Sequence, residues 1–188
     1  GKLIDGLQKD GLVDAYDKVA MGVSADATAE KYGISREDQD RFAIQSYERS
    51  AAATAAGLFK DEIVPVSIPQ RKGEPLIISE DEEFRKVKFE KIAGLRAAFT
   101  KEGTATAANS STINDGASAL VIASEEAILK HGLIPIARIV SFADAAHEPQ
   151  WFTTAPTLAA PLAIKRAGLE KSEIDYYEVN EAFSVVTM

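Results

Sequence analysis

Residues 117–123, ASALVIA, carry no charge and stand between Asn114-Asp115-Gly116 and Ser124. An Asn-Asp-Gly cluster reverses the chain, because Asn and Asp bond their own backbone and Gly accepts a positive φ. An uncharged run bounded by turn and cap residues reads as a strand buried on both faces. Such a strand needs cover above and below it, so it demands a layered fold. Just ahead of it, residues 104–111 (TATAANSS) are crowded with Ala and Ser. Nothing bulky stands there, so a loop can pack tightly on a sheet, or a ligand can come close to backbone.

The elements around that strand extend the pattern. Ser124-Glu125-Glu126 opens an acidic helix that ends near Lys130-His131-Gly132, where a cation in the last turn suits the helix dipole and gives His131 a structural role. Residues 137–145 read as a second strand, 157–167 as a helix ending at Gly168, and 174–179 as a third strand leading to Asn180. Alternating strands and helices over 117–179 predict a layered α/β core. His147 sits in the loop AAHEP with no orienting partner evident in the sequence.

Residues 1–112 read as an irregular α+β region. Residues 24–32 are helix-like and stop at Gly33. Ser35, three residues before Asp38, is a capping pattern that opens a long helix from Arg36 to about Ala56, with Ala43, Tyr47 and Ala51 on one stripe and Phe42 beside them. Residues 63–68 alternate, but Pro65 and Pro69 limit them to an edge strand or a short hairpin arm. Gly73 marks a turn before a return strand at Leu76-Ile77-Ile78. Then Glu80-Asp81-Glu82-Glu83 gives way to Arg85, Lys86, Lys88 and Lys91, four cations in seven residues. That segment fits a solvated face of intramolecular ion pairs, or a site for a phosphorylated ligand.

Composition removes several classes of function. The chain of 188 residues has 46% apolar and 27% charged residues, ordinary for a globular protein able to bury a core. Its net charge of −8 disfavours nucleic acid, whose phosphates demand a basic face. No apolar run reaches the length of a membrane span, and the first residues do not resemble a signal or transit peptide. The absence of Cys excludes a disulfide scaffold, a Cys-rich zinc site and a cysteine nucleophile within these residues.

Three segments in register carry a family resemblance: TAANSSTINDGASALVIAS, FADAAHEP and YEVNEAF, running from Thr106 to Phe183. The first closely resembles the thiolase signature TAANAS-x-x-NDGAAAL-V. Together the three are similar to the biosynthetic, acetoacetyl-CoA type of thiolase, and the likeness extends back through KDGLVDAYDKVAMG and AIQSYERS. The resemblance implies a layered α/β core half carrying an inserted α+β loop domain. Residues 1–112 would be the loop domain, and 113–188 the first part of a C-terminal core domain. It also implies making or cleaving acetoacetyl-CoA by acyl transfer to coenzyme A, and a homotetramer in the mitochondrion or cytoplasm.

The resemblance carries site residues with it. Asn180, of the NEAF match, would hold a water in an oxyanion hole that stabilises the acetyl-CoA enolate, with donors aimed at developing charge. The residues themselves allow a plainer reading of Asn180 as a helix N-cap. Tyr47, Lys86, Val87, Lys91, Ser111 and Phe183 would contact coenzyme A, with the basic loop at its adenine and 3′-phosphate end. Here Lys86-Val87-Lys88 replaces the family's Arg-Val-Asp, keeping a cation without guanidinium stacking. Met21 and Phe152 would line a short acyl pocket, and Ala20 stands where many relatives have His. Tyr47, Ala107, Ala108 and Ser110 fall where potassium-activated relatives bind potassium, with Ser110 in place of the usual Ala.

Thiolases work by ping-pong chemistry, with a Cys nucleophile activated by His and a second Cys as acid and base. No Cys is present here, so the chain resembles the middle portion of a longer thiolase and is expected not to catalyse thiolysis by itself. Two other readings stand beside this one: a non-catalytic module for coenzyme A binding or oligomerisation, and a thiolase for longer 3-ketoacyl chains.

Overall fold

The computed structural model describes residues Gly1–Met188. Two compact units emerge, one of residues Gly1–Val19 and Thr112–Asn180, the other of Ala20–Ser111 and Glu181–Met188.

The second unit is built on two helices. Helix α1, Met21–Tyr32, ends at Gly33, whose left-handed φ of 66° lets its N–H reach back to the Ala29 and Glu30 carbonyls. Helix α2, Arg36–Ala55, starts where the capping pattern predicts, with Ser35 Oγ accepting from the Asp38 N–H at 3.0 Å. Strands β1 (Val66–Ile68) and β2 (Leu76–Ile78) form an antiparallel hairpin pairing Val66 with Ile78 and Ile68 with Leu76. Pro65 lies just outside β1, as a residue without an N–H to give the ladder should. Two single-turn helices follow, α3 (Glu83–Lys86) and α4 (Phe89–Ile92).

Small residues make most of this unit's apolar interior: Ala25, Ala29, Ala43 and Ala105 are buried with Ile92, Phe183 and Val185. Phe99 meets Phe183 edge to face at 5.9 Å. Beside these lies a polar interior. Ser24, Asp26, Thr28, Gln39, Asp40, Thr106 and Asn109 are all buried, which is tolerable only where hydrogen bonds replace water.

The first unit begins with a π-helical turn, Gln8–Leu12. It then contains α5 (Glu125–His131), with Ser124 Oγ accepting from the Ala127 N–H at 3.2 Å. After a 3₁₀ turn, Pro149–Thr154, comes α6 (Pro156–Ala167), and a 3₁₀ turn at Lys171–Glu173 follows. Ser141 Oγ donates to the Ala163 carbonyl at 2.6 Å, and Arg166 Nη1 to the Phe142 carbonyl at 2.8 Å, tying an extended segment to α6. The last helix, α7 (Ser184–Thr187), belongs to the second unit.

The expected strands at 117–123, 137–145 and 174–179 do not form ladders. Nor is the apolar run buried: Leu120 is 91% exposed, Val121 95% and Ile122 78%. Apolar alternation or continuity states which neighbours a segment suits. Pairing and cover must come from other chain, and no element of this unit supplies them. His147 likewise differs from expectation, since it has partners: Nε2 lies 3.0 Å from Thr154 Oγ1, and Nδ1 3.4 Å from Glu148. These fix the ring within its own loop.

Candidate functional site

Residues 104–111 form a turn held from several directions. Asp26 of α1 accepts from the N–H groups of Thr104 (2.9 Å) and Ala105 (2.8 Å) and from Thr100 Oγ1 (2.7 Å). Gly103 is required here: a Cβ would come within 2.1 Å of Asp26 Oδ2, so any side chain would push the carboxylate off the turn. Gln39 Nε2 reaches Thr104 Oγ1 at 2.9 Å. Inside the turn, Thr106 N–H donates to Asn109 Oδ1 at 2.7 Å, and Thr106 Oγ1 accepts from the Ala108 N–H at 3.2 Å.

This turn meets the last segment of the chain. Ser110 and Phe183 are antiparallel bridge partners, through Ser111 N–H to the Ala182 carbonyl and Ser184 N–H to the Asn109 carbonyl, both 2.9 Å. So the TAANSS and NEAF matches, separated by some seventy residues of sequence, are joined through backbone. Ser46 of α2 adds a bond to Glu181 Oε2 at 2.5 Å. Ser111 is exposed and Phe183 buried, which leaves a polar side chain presented beside an apolar one.

Two features of the turn invite a ligand. The carbonyls of Ala107, Ala108 and Ser110 accept no hydrogen bond from the chain, and Ser110 Oγ is buried without a partner. Uncommitted oxygens of this kind are hard donors suited to a monovalent cation or to a ligand amide. No cluster of His, Cys, Asp or Glu suited to a metal is present.

The basic segment is divided in its commitments. Lys86 Nζ pairs with Glu82 at 2.6 Å, which raises the Lys86 pKa and lowers that of Glu82, first through the hydrogen bond and then through charge. Arg85 pairs with Glu80. Lys88 and Lys91 have no carboxylate within ion-pair distance and are exposed. Val87 is half-buried between α3 and α4. Arg36 anchors the far end of this segment, donating from Nη2 to the Ile92 and Leu95 carbonyls at 3.0 Å each. Tyr47 of α2 stacks edge to face on Phe89 at 6.4 Å, and burial, with Glu83 second, pushes its phenol above the usual range.

The remaining candidates occupy other settings. Met21 is half-buried at the start of α1, just after Ala20. Phe152 is half-buried in the 3₁₀ turn of the first unit. Asn180 is exposed and its side-chain amide makes no hydrogen bond within the chain. The N-cap reading of Asn180 is corrected here, because α7 starts at Ser184, behind Phe183. Asp26, Asp40 and Asn109 escaped the sequence reading. The available signal was two Asp on Ala-rich or aromatic helix faces, together with an Asn inside TAANSS.

Comparison with known proteins accounts for the joined motifs. The profile of the thiolase N-terminal domain matches residues 1–126, and that of the thiolase C-terminal domain matches 133–188. An acetyl-CoA acetyltransferase of Schizosaccharomyces pombe is 50% identical over 188 residues, all of this chain and 48% of that protein. A mitochondrial acetyl-CoA acetyltransferase of Danio rerio is 51% identical over 188 residues, 45% of its length. Among solved structures, a thiolase of Ascaris suum in complex with coenzyme A superposes with a TM-score of 0.93 at 43% identity, over 99% of this chain and 47% of its own. The acetyl-CoA acetyltransferase of Bacillus anthracis gives 0.94 at 36% identity, over 100% of this chain and 47% of its own. The chain spans just under half the length of the relatives it matches. It belongs to the thiolase family and has the thiolase fold.

Proposed function

We propose that this chain is part of an acetyl-CoA acetyltransferase, making or cleaving acetoacetyl-CoA by acyl transfer to coenzyme A. The observation that carries the proposal is the backbone bridge between Ser110 and Phe183, which sets Ser111 and the NEAF segment together. Ser111 bonds the pantetheine, Phe183 packs on it, and Lys86, Val87 and Lys91 with Tyr47 hold the nucleotide end. An incoming phosphate competes with Glu82 for Lys86 and meets the unpaired Lys91 directly. Met21 and Phe152 border the acyl group. The free amide of Asn180 orients a water toward the enolate oxygen as charge develops there. The nucleophilic Cys, its His and the second Cys belong to chain outside these 188 residues, which contain no Cys.

We assign residues 1–112 to the loop domain and 113–188 to the start of the C-terminal core, and the full enzyme to a homotetramer. Potassium fits the uncommitted carbonyls of Ala107, Ala108 and Ser110, with Tyr47 as a further ligand. Once bound, it would supply positive charge that stiffens the turn beside the coenzyme A site. Relatives named as mitochondrial and as cytosolic keep both compartments open.

The test is coenzyme A titrated into the 188-residue chain at verified mass, followed by calorimetry, alongside an assay of acetoacetyl-CoA cleavage. Binding that weakens in Ser111→Ala, with no turnover, is the expected result. Absence of binding at millimolar coenzyme A would sink the site assignment. Turnover without cysteine would sink the mechanism.

A further inference from the structure

The buried polar cluster behind the 104–111 turn contains a carboxylate with no direct part in the site. Asp40, on α2, is buried, and its two oxygens are divided between two partners. Oδ2 accepts from Arg36 Nε at 2.7 Å, and Oδ1 from Asn109 Nδ2 at 3.0 Å. Both Asn109 Nδ2 hydrogens are committed, since Nδ2 also donates to the Thr104 carbonyl at 3.0 Å, while its Oδ1 accepts from Thr106 N–H at 2.7 Å. Its own carbonyl accepts from Ser184 N–H, one half of the bridge to the NEAF segment.

We propose that the Arg36–Asp40–Asn109 relay is a positioning device. It fixes the bridge that sets Ser111 and Phe183 toward coenzyme A. The proposal rests on the coenzyme A reading above, and it names residues that touch no substrate. Direction of bonding is the essential point. Asn109 must donate to Asp40 and accept from Thr106, so the amide has one orientation, and the main chain that carries it has one path. Arg36 makes the buried charge tolerable and secures the same helix to the Ile92 and Leu95 carbonyls at the end of the basic segment. One relay therefore governs both ends of the ligand site.

The experiment is a reciprocal exchange in the 188-residue chain, read in two ways. Amide hydrogen exchange at Ser111 and Ser184 reports the bridge, and the coenzyme A dissociation constant reports the site. Asn109→Asp sets a second carboxylate against Asp40, where both cannot comfortably ionise. Adding Asp40→Asn restores a donor and an acceptor across the same 3.0 Å contact. The single variant is expected to speed exchange at both amides and raise the dissociation constant by about tenfold, and the double variant to recover part of both losses, because the Thr104 carbonyl still lacks its donor.

Unchanged exchange in Asn109→Asp, or a double variant no better than the single, would overturn the relay. Should the parent not bind coenzyme A, the functional reading fails, while the exchange data still decide the relay. If Asn109→Asp does not fold, Asp40→Asn alone serves: one remaining oxygen must then satisfy Arg36 and Asn109 together. Faster exchange at Ser111 and Ser184 supports the proposal there, and unchanged exchange refutes it.

Discussion

Single residues in this chain act mainly through what they leave uncommitted or hold in place. Tyr47 illustrates the point. Burial, then the nearby Glu83 charge, favours its neutral phenol over the phenolate. The folded pKa lies above the unfolded value near 10. Its contribution to stability is therefore complete below pH 10 and declines as pH rises through the folded value. A spectrophotometric titration should show a tyrosine ionising above the usual range that disappears in Tyr47→Phe. Glu83→Gln should bring that phenol down, and an unchanged titration would remove Glu83 as a cause. Asp26 works differently, since its carboxylate is satisfied by two backbone amides and a hydroxyl. Gly103 gives it the room.

At the level of elements, α2 has the widest influence. Asp40 and Gln39 bond to the 104–111 turn, Tyr47, two turns further on, packs against Phe89, and Ser46 reaches Glu181. Its start depends on Ser35, whose hydroxyl satisfies the Asp38 N–H that the helix cannot. Ser35→Ala should cost about 1 kcal/mol in the denaturant midpoint analysis. The loss should reach the site through α2, and coenzyme A binding should weaken in step. A stability loss that leaves binding untouched would show that α2 tolerates a frayed end. The hairpin β1–β2 is independent of this arrangement, and its exposed Val66, Leu76 and Ile77 face no buried layer of the chain.

Across the whole molecule, the two units differ in how their apolar residues are used. The second unit buries small apolar and polar side chains together around the turn. The first leaves Leu120, Val121, Ile122, Ile134, Ile136 and Phe142 open to solvent. Exposed apolar residues in this number should bind an apolar fluorescent dye strongly. Replacing Leu120 and Ile122 by Ser should cut that signal, whereas Ser substitutions at the exposed Val66 and Leu76 of the hairpin should have a lesser effect. Equal losses from both sites would mean that the dye does not distinguish the run. No helix is long and apolar enough to cross a membrane.

Local chemistry accounts for what was legible before folding. Caps, stops and periodicity located α1, α2, the hairpin, α5 and α6 within a residue or a few, because each depends on neighbours close in sequence. The three-segment likeness identified the family for a similar reason, as it consists of side chains read in order. Sheet pairing at 117–123, 137–145 and 174–179 did not follow, since a strand exists only through a partner and a cover that its own residues do not contain. The N-cap role of Asn180 failed on the same ground: the helix begins four residues later, just after Phe183, the bridge partner of Ser110. Only tertiary structure could reveal that Asp40 and Asn109, or Ser110 and Phe183, are neighbours. Hydrogen bonds between distant residues leave no local signature, and on these the candidate site rests.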